Sequence, residues 1–358
     1  MKLLLLSRYD RRGASSRIRS YQYIPYLNAV GIEVKTRFLF DDPYVRDIQQ
    51  RSIRKIHKIA TAYARRLFHM LDIQNVDGVW IEKELFPWLP GWVETVIRKM
   101  RIPCVVDYDD AIFHRYDKHP WYGVRCLLGR KIDRIMAGAD LVLAGNHYLE
   151  QRAMDAGARE VTYLPSVIDI ERYGVKKKQS KSIKTIGWIG SPTTARYLKM
   201  VAAALETVSR KHDVRIVLVG AGRMTLNNLN MTIKPWHEDT EVNDILDFDI
   251  GIMPLPETPW SRGKCGYKLI QYMACGIPVV ASPVEANKDI VINKVNGFMA
   301  SGADDWLAAL ERLLLDDGLR ERMGRQGRKT VESKFCLQVT APCLKRVLIE
   351  TIGKAKAS

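Results

Sequence analysis

Along this chain, short runs of consecutive apolar residues alternate with longer stretches whose apolar positions recur every three or four residues. Residues 2–6 are the first run, four leucines after Lys2. Residues 20–30 have helical spacing, and Gly31 closes them. Residues 33–40 read as a strand and 46–71 as a long helix. Residues 78–81, 104–107 and 141–144 are further apolar runs, each bounded by polar residues or glycine. Apolar runs without alternation suit strands buried on both faces. Helical segments between them predict a parallel sheet of βαβ units, an α/β fold.

Near residue 174 the pattern breaks and restarts. Tyr173-Gly174-Val175 leads into Lys176-Lys177-Lys178-Gln179-Ser180-Lys181-Ser182, a solvated linker by composition. Beyond it, strands are expected at 184–189, 215–219, 249–253 and 278–281. Helices are expected at 198–210, 267–274, 306–315 and 319–335, with Gly276 and Pro278 as the stop signal after the second of these. The expected organisation is two α/β domains, 1–174 and 175–336, with a last helix over 337–358 completing the first. In open parallel sheets, ligands bind beyond the carboxyl ends of the strands, so the expected site is a cleft between two such domains.

Composition adds a charge question to this picture. The 358 residues are 47% hydrophobic and 27% charged, which excludes wholesale disorder. Lys and Arg outnumber Asp and Glu by 56 to 40, a net charge of +16. Such a surplus calls for an anionic partner: nucleic acid, an anionic membrane surface or a phosphorylated small molecule. No apolar run approaches the roughly 18–20 residues of a spanning helix. The run Leu3 to Leu6, followed at once by Arg8, Asp10, Arg11 and Arg12, reads as a buried strand and not as a secretory leader. The six cysteines form no CxxC pair and read as reduced thiols of a cytoplasmic protein.

Three loops at predicted strand ends could hold phosphate. The first, 7–17, includes Gly13, Ala14, Ser15 and Arg17. Its small residues let backbone approach a ligand, and its arginines offer bidentate donors. The second, 187–194, carries Gly190 and Ser191 before Pro192, a capping residue and a first-turn proline whose helix would point free N–H groups at an anion. The third, 260–268, packs Arg262, Lys264 and Lys268 with two glycines just before a helix. Neither GxGxxG nor GxxxxGK[ST] occurs at these loops, so dinucleotide and P-loop readings lose ground.

The segment 262–282 opens Arg262-Gly263-Lys264-Cys265-Gly266-Tyr267-Lys268 and runs through Gln271-Tyr272-Met273-Ala274 to Pro278. It resembles the donor-site segment of the family 4 glycosyltransferases. Gly13-Ala14-Ser15-Ser16-Arg17, Asn296-Gly297-Phe298 and the stretch 319–328 resemble further parts of that family. The likeness is close over 180–335 and loose over 1–170. It implies the GT-B fold, two Rossmann-like domains with parallel sheets facing a cleft. It also implies a retaining transfer of sugar from a nucleoside diphosphate donor, with the nucleotide sugar as co-substrate and no metal. The diphosphate would be held by Arg262, Lys264 and Lys268, and Glu241 would lie near the base or ribose. The family carries two glutamates with seven residues between them, the later one gripping the donor ribose. Here those positions are Gly263 and Gln271, a departure read as a subtype. Gln271 can still donate and accept hydrogen bonds, without charge.

The other dense chemical cluster is Val105-Val106-Asp107-Tyr108-Asp109-Asp110-Ala111-Ile112-Phe113-His114. Asp107-Tyr108-Asp109 matches DxD, a weak pattern that admits a rival, metal-dependent GT-A reading. The two-domain layout favours the metal-free one. Asp109, Asp110 and His114 are the catalytic candidates, for acceptor binding or for stabilising an oxocarbenium-like transition state; helix-capping acids are the bland alternative. Between 46 and 66 lie seven Lys or Arg (46, 51, 54, 55, 58, 65, 66) against Asp47. A basic amphipathic helix of this kind can lie on an anionic bilayer, or simply be solvated with its apolar face on the sheet. The expected function is a cytoplasmic glycosyltransferase of glycan biosynthesis, peripheral at the inner membrane face, with a saccharide or lipid-linked acceptor. A nucleotide-sugar epimerase of the same fold is a rival. So is a basic nucleic-acid-binding protein, although no nucleic-acid module is evident and nucleic acid is not the expected partner.

Overall fold

A computed structural model describes residues 1–49, 56–91, 94, 97, 100–176, 183–226 and 229–357. The chain divides into two units. Unit 1 comprises residues 1–166, 262–265 and those from 340 on; unit 2 comprises 167–261 and 266–339.

Unit 1 is built on six parallel strands: β1 (Lys2–Tyr9), β2 (Glu33–Phe40), β3 (Gly78–Glu82), β4 (Cys104–Tyr108), β5 (Leu141–Ala144) and β6 (Val161–Tyr163). Their order is β2-β1-β3-β4-β5-β6, so the direction of travel reverses between β1 and β3. Unit 2 repeats the plan with β7 (Lys184–Ile189), β8 (Val214–Val219), β9 (Met231–Lys234), β10 (Ile250–Met253), β11 (Val279–Ala281) and β12 (Gly297–Met299). Its order is β12-β11-β10-β7-β8-β9, with the reversal between β7 and β10. At such reversals the flanking loops part and leave room for a ligand. Helices cover both faces, which is why Leu3 to Leu6 and Val79 to Ile81 are wholly buried apolar runs.

Several elements depart from the sequence reading. β6, β9 and β12 have three or four residues each, too few to show a period, and β6 and β9 are half-exposed edges. The helix expected over 20–30 resolves into a 3-10 turn, Tyr21–Tyr23, and the helix Ile24–Ala29, with Pro25 in its first turn. Of the long helix expected over 46–71, the described residues show the helices Asp42–Gln49 and Ile56–His69, and its last residues form instead a 3-10 segment, Met70–Asn75. Arg51, Ile53, Arg54 and Lys55 lie outside the described residues, as does the linker stretch 177–182.

The boundary also moves, from 174/175 to 166/167. Residues 167–176 spend their hydrogen bonds on unit 2. The Ile168 N–H donates to Phe335 O at 3.3 Å, the Lys176 N–H to Cys275 O at 2.9 Å, and Lys176 Nζ pairs with Asp249 at 2.6 Å. From Thr340 on, the final helix belongs to unit 1. The Tyr23 and Thr340 hydroxyls are 2.9 Å apart, and Ile352 fills the space over Gly78.

At the centre of the unit 2 sheet, Gly187 of β7 pairs in register with Gly251 of β10. A Cβ on Gly187 would fall within the Phe248 ring, and one on Gly251 within the Tyr272 ring. The two glycines let both rings lie against the backbone, and the Tyr272 hydroxyl accepts from the Ile189 N–H at 2.9 Å. Tyr272 belongs to the helix Tyr267–Ala274, whose Leu269, Ile270, Tyr272 and Met273 are all buried. At about 1.5–3 kcal/mol per large apolar side chain, that face fixes the helix on the sheet. Gly251→Ala should lower unit 2 stability by about 2 kcal/mol through overpacking. A drop in the guanidinium midpoint at unchanged slope checks this.

Candidate functional site

In unit 1, the carboxyl ends of β1, β3 and β4 gather a compact cluster of charges. β1 turns at Gly13, where a Cβ would strike the side chain of Tyr9, and the helix Ala14–Arg19 starts there. Ser15 Oγ is 2.7 Å from Asp109 Oδ2 and 2.9 Å from Glu82 Oε1, and Ser16 Oγ donates to Glu82 Oε2 at 2.5 Å. Of the first-loop candidates, Ser15 therefore joins the acids. Arg17 is turned inside the unit, and Ala14 is exposed.

Lys83, which follows β3 directly, was not singled out from the sequence. It is 4% exposed, and its backbone sits at φ +66°, left-handed for a residue with a side chain. Its ammonium lies 2.7 Å from Asp109 Oδ1, 2.8 Å from Ser15 Oγ and 3.9 Å from Asp110 Oδ2. Burial pushes the Asp109 carboxyl up, but Lys83 and Ser15 outweigh it and hold the group below the usual carboxylate range. The available signal was a wholly apolar strand running into Glu82-Lys83-Glu84 at its carboxyl end. Glu84 itself belongs to a neighbouring buried group, with Lys131 at 2.7 Å, Tyr116 at 2.8 Å and Arg8 at 3.3 Å.

The segment 262–265 packs into this same unit. Lys264 Nζ pairs with Asp110 Oδ1 at 2.6 Å, and Asn146 Nδ2 donates to Arg262 O at 2.9 Å and Lys264 O at 3.0 Å. Asn146 also caps the helix His147–Asp155 through Leu149 N–H at 2.9 Å. Gly263 rests on Ala111 so closely that a Cβ would overlap the Ala111 backbone. The position where the resemblance places an acid thus has no room for any side chain. Of the three cations, Arg262, exposed, and Lys264, paired with Asp110, count with unit 1, and Lys268 counts with unit 2.

The acidic stretch divides among separate partners. Asp107 is gripped by Arg19, with Nη2 to Oδ1 at 2.6 Å and Nε to Oδ1 at 3.1 Å, and Asp109 by Lys83. The DxD carboxylates are thus committed to separate cations, and no group of three or more metal-ligating side chains occurs among the described residues. His114 has both ring nitrogens engaged elsewhere, Nδ1 with Asp117 at 2.8 Å and Nε2 with the Tyr148 hydroxyl at 2.7 Å. It shares no hydrogen bond with Asp109 or Asp110.

In unit 2, loops from three strands converge. Gly190 follows β7. A Cβ there would come within 2.6 Å of the Trp188 ring and 2.7 Å of Lys268 Cε. The Lys268 ammonium lies 5.4 Å above the Trp188 ring centre. Ser191 opens the short helix Pro192–Ala195. Gly220, after β8, has φ +75° and lies against Gly190 O and the Trp236 side chain. Glu241 is 4% exposed; its Oε1 accepts from the Tyr173 hydroxyl at 3.1 Å and its Oε2 from Trp236 Nε1 at 2.9 Å. Gln271, 3% exposed, donates from Nε2 to the Tyr173 oxygen at 3.0 Å. The structure therefore joins Glu241 and Gln271 through Tyr173, a residue the sequence reading had placed at the start of a linker.

The buried ion pairs of unit 1 have a measurable signature. Lys83→Met leaves Asp109 buried and unpaired, and should cost about 3 kcal/mol at pH 7. A carboxyl depressed on folding stabilises above its unfolded value near 4, and that contribution fades as pH falls. The gap between wild type and variant should therefore close below pH 4, as read by denaturant midpoints across pH 7 to 2.5.

Residues 183–316 match the glycosyl transferases group 1 domain. A capsular polysaccharide biosynthesis glycosyltransferase, CapM of Staphylococcus aureus, is 36% identical over 83 residues, 23% of this chain and 22% of the relative. A GDP-mannose-dependent monoacylated alpha-(1-6)-phosphatidylinositol monomannoside mannosyltransferase of Corynebacterium glutamicum is 24% identical over 251 residues, 61% of this chain and 64% of the relative. The chain thus spans less than two thirds of either relative. Among solved structures, Anabaena HepE in complex with UDP superposes with a TM-score of 0.73 at 15% identity, over 98% of this chain and 100% of that one. Sucrose-phosphate synthase of Thermosynechococcus elongatus gives 0.73 at 14% identity, over 99% and 100%. These likenesses speak to the fold, the two-unit GT-B architecture. The stretch 183–316, from β7 through the helix Ala303–Leu315, is thus the part of the chain that is similar to the glycosyl transferases group 1 domain.

Proposed function

We propose that this protein is a retaining glycosyltransferase that moves a sugar from a nucleoside diphosphate donor to a saccharide or lipid-linked acceptor in glycan biosynthesis. The observation that carries the reading is the convergence in unit 2, within the matched domain, of Gly190, Gly220 and the start of the helix Tyr267–Ala274 with Lys268. Backbone there can approach a diphosphate, and the Lys268 ammonium and N-terminal helix dipole can balance its charge. In the transfer, the bond from the anomeric carbon to the diphosphate oxygen breaks and the nucleoside diphosphate leaves with the electron pair. The acceptor hydroxyl forms the new bond and loses its proton. Fixed cations matter most where charge develops, on the leaving diphosphate, so the reaction as read takes no metal. Asp109 and Asp110, each paired with a lysine, are assigned to the acceptor side.

The test is a panel of UDP-, GDP- and dTDP-sugars with calorimetry for binding and nucleotide release for turnover. One nucleotide class should bind, and Lys268→Ala should weaken it by at least tenfold. No binding across the panel overturns the reading, and isomerisation of donor without acceptor would favour an epimerase.

We also propose peripheral contact with an anionic membrane at the cytoplasmic face, on a surface different from the basic face expected over 46–66. Arg66 is buried, donating to Ser7 O and Arg37 O, Arg65 donates to Leu39 O, and Lys58 pairs with Asp47. Outward instead point Phe68 and Leu71, 72% and 66% exposed, near the end of the helix Ile56–His69. No helix among the described residues is long and apolar enough to cross a membrane. Wild type should co-sediment with vesicles containing phosphatidylglycerol, and Phe68→Glu with Leu71→Glu should lower the bound fraction at least fivefold. Equal binding by the two proteins would refute this surface.

A further inference from the structure

A buried hydrogen-bond chain in unit 2 has a direction set by chemistry. Its end is Glu241, and an ionised carboxylate can only accept. No cation pairs with Glu241 among the described residues; its two oxygens take the Tyr173 hydroxyl proton and the Trp236 indole N–H. A phenol has one proton. Once Tyr173 gives it to Glu241, its oxygen can only accept, and the groups facing it must donate. Gln271 faces it at 3.0 Å. The Gln271 amide must therefore turn its nitrogen toward Tyr173, which leaves its oxygen pointing away. That oxygen meets no partner among the described residues and is not among the polar atoms sealed from solvent.

The chain is held in place as well as in direction. Arg328 Nη1 donates to Tyr173 O at 2.7 Å and to Ala274 O at 2.5 Å, tying the tyrosine backbone to the last turn of the helix that carries Gln271. Burial first, then Tyr267 and Glu241, push the Tyr173 hydroxyl well above the usual tyrosine range, so its proton stays put at working pH. Gln271 stands one helical turn after Lys268, and residues three apart share a face.

We propose that Tyr173 and Glu241 are positioning residues that lock the Gln271 amide with its oxygen outward, so that a neutral glutamine accepts a ribose hydroxyl of the donor as a carboxylate would. This rests on the donor-binding reading above. Its new content is that the missing charge at position 271 sits at Glu241 and acts through two hydrogen bonds. An unlocked amide could flip and offer N–H to the hydroxyl, losing the distinction between acceptor and donor. A carboxylate at 271 beside Glu241 would leave two acceptors competing for one phenol proton.

The test is calorimetric titration of the full chain with UDP and GDP, each beside its 2′-deoxy and 3′-deoxy forms. Wild type should prefer the ribonucleotide it binds over one deoxy form by at least tenfold. Tyr173→Phe and Glu241→Gln should each cut that preference to threefold or less, while affinity for the deoxy form stays within twofold. The double variant Glu241→Gln with Gln271→Glu should regain the preference, since the carboxylate and amide have exchanged ends of the same chain. A merely structural network would not be rescued by that exchange. Binding of nucleotide without a ribose preference, preference retained in both single variants, or no rescue in the double variant each overturns this inference and leaves the donor reading intact. No nucleotide binding by wild type overturns the donor reading itself. Thermal melts accompany each variant, and if Tyr173→Phe does not fold, the Glu241→Gln pair decides.

Discussion

The helix Tyr267–Ala274 can lie on its sheet only because Gly187 and Gly251 leave nothing under the rings of Phe248 and Tyr272. Parallel sheets of this kind are normally lined with branched side chains, which hold a covering helix off the backbone. Here two adjacent strands drop their side chains at the same level, and an aromatic ring occupies each gap. Everything assigned to the donor side depends on that seat. Lys268 reaches the Gly190 loop from the first turn of the helix, and Gln271 reaches Tyr173 from the second. Just past the helix's end, Gly324 sits directly on the Gly276 carbonyl, so the helix Asp317–Lys334 is packed at backbone contact too.

Unit 1 solves a different problem, the burial of charge. Glu82, Lys83, Glu84, Arg19 and Asp107 are all buried at the ends of adjacent strands. An isolated charge there would cost several kcal/mol, so the unit is stable only because each meets a partner. Holding Lys83 at positive φ is part of that solution: the strained backbone turns its ammonium toward Ser15 and Asp109. Strain of this kind concentrates where geometry is dictated by chemistry more than by folding.

How much was legible in the sequence follows from the same physics. The long buried strands were visible because burial on both faces writes an unbroken apolar run, and the helix Tyr267–Ala274 because Gly276 and Pro278 end it. β6 and β9 were not visible, because three or four half-exposed residues carry no period. Gly190, Ser191, Lys268, Gln271 and Glu241 were singled out through loops at strand ends and a family resemblance; all five lie in unit 2, with Lys268 at Gly190 and Gln271 joined to Glu241 through Tyr173. Tyr173 was missed because a tyrosine before a basic, glycine-containing stretch looks like the start of a linker; only its hydroxyl's partners, 68 and 98 residues away, reveal its place. Gly263 was read as a lost acid, whereas the contact with Ala111 shows a position with no space for one. His114 had the right residue type in a dense cluster, but residue type says nothing of Tyr148, which takes up its Nε2.

Glu241 carries a full negative charge among neutral donors, and Lys268 carries a positive one over an aromatic ring. Added electrolyte weakens attraction between accessible charges and leaves short, neutral hydrogen bonds nearly untouched. Under the donor reading, the two ends of one ligand would then respond differently to ionic strength. The grip on phosphate would loosen with salt, while discrimination at the sugar ring of the nucleoside would persist. Affinity and selectivity would be separable by the buffer alone.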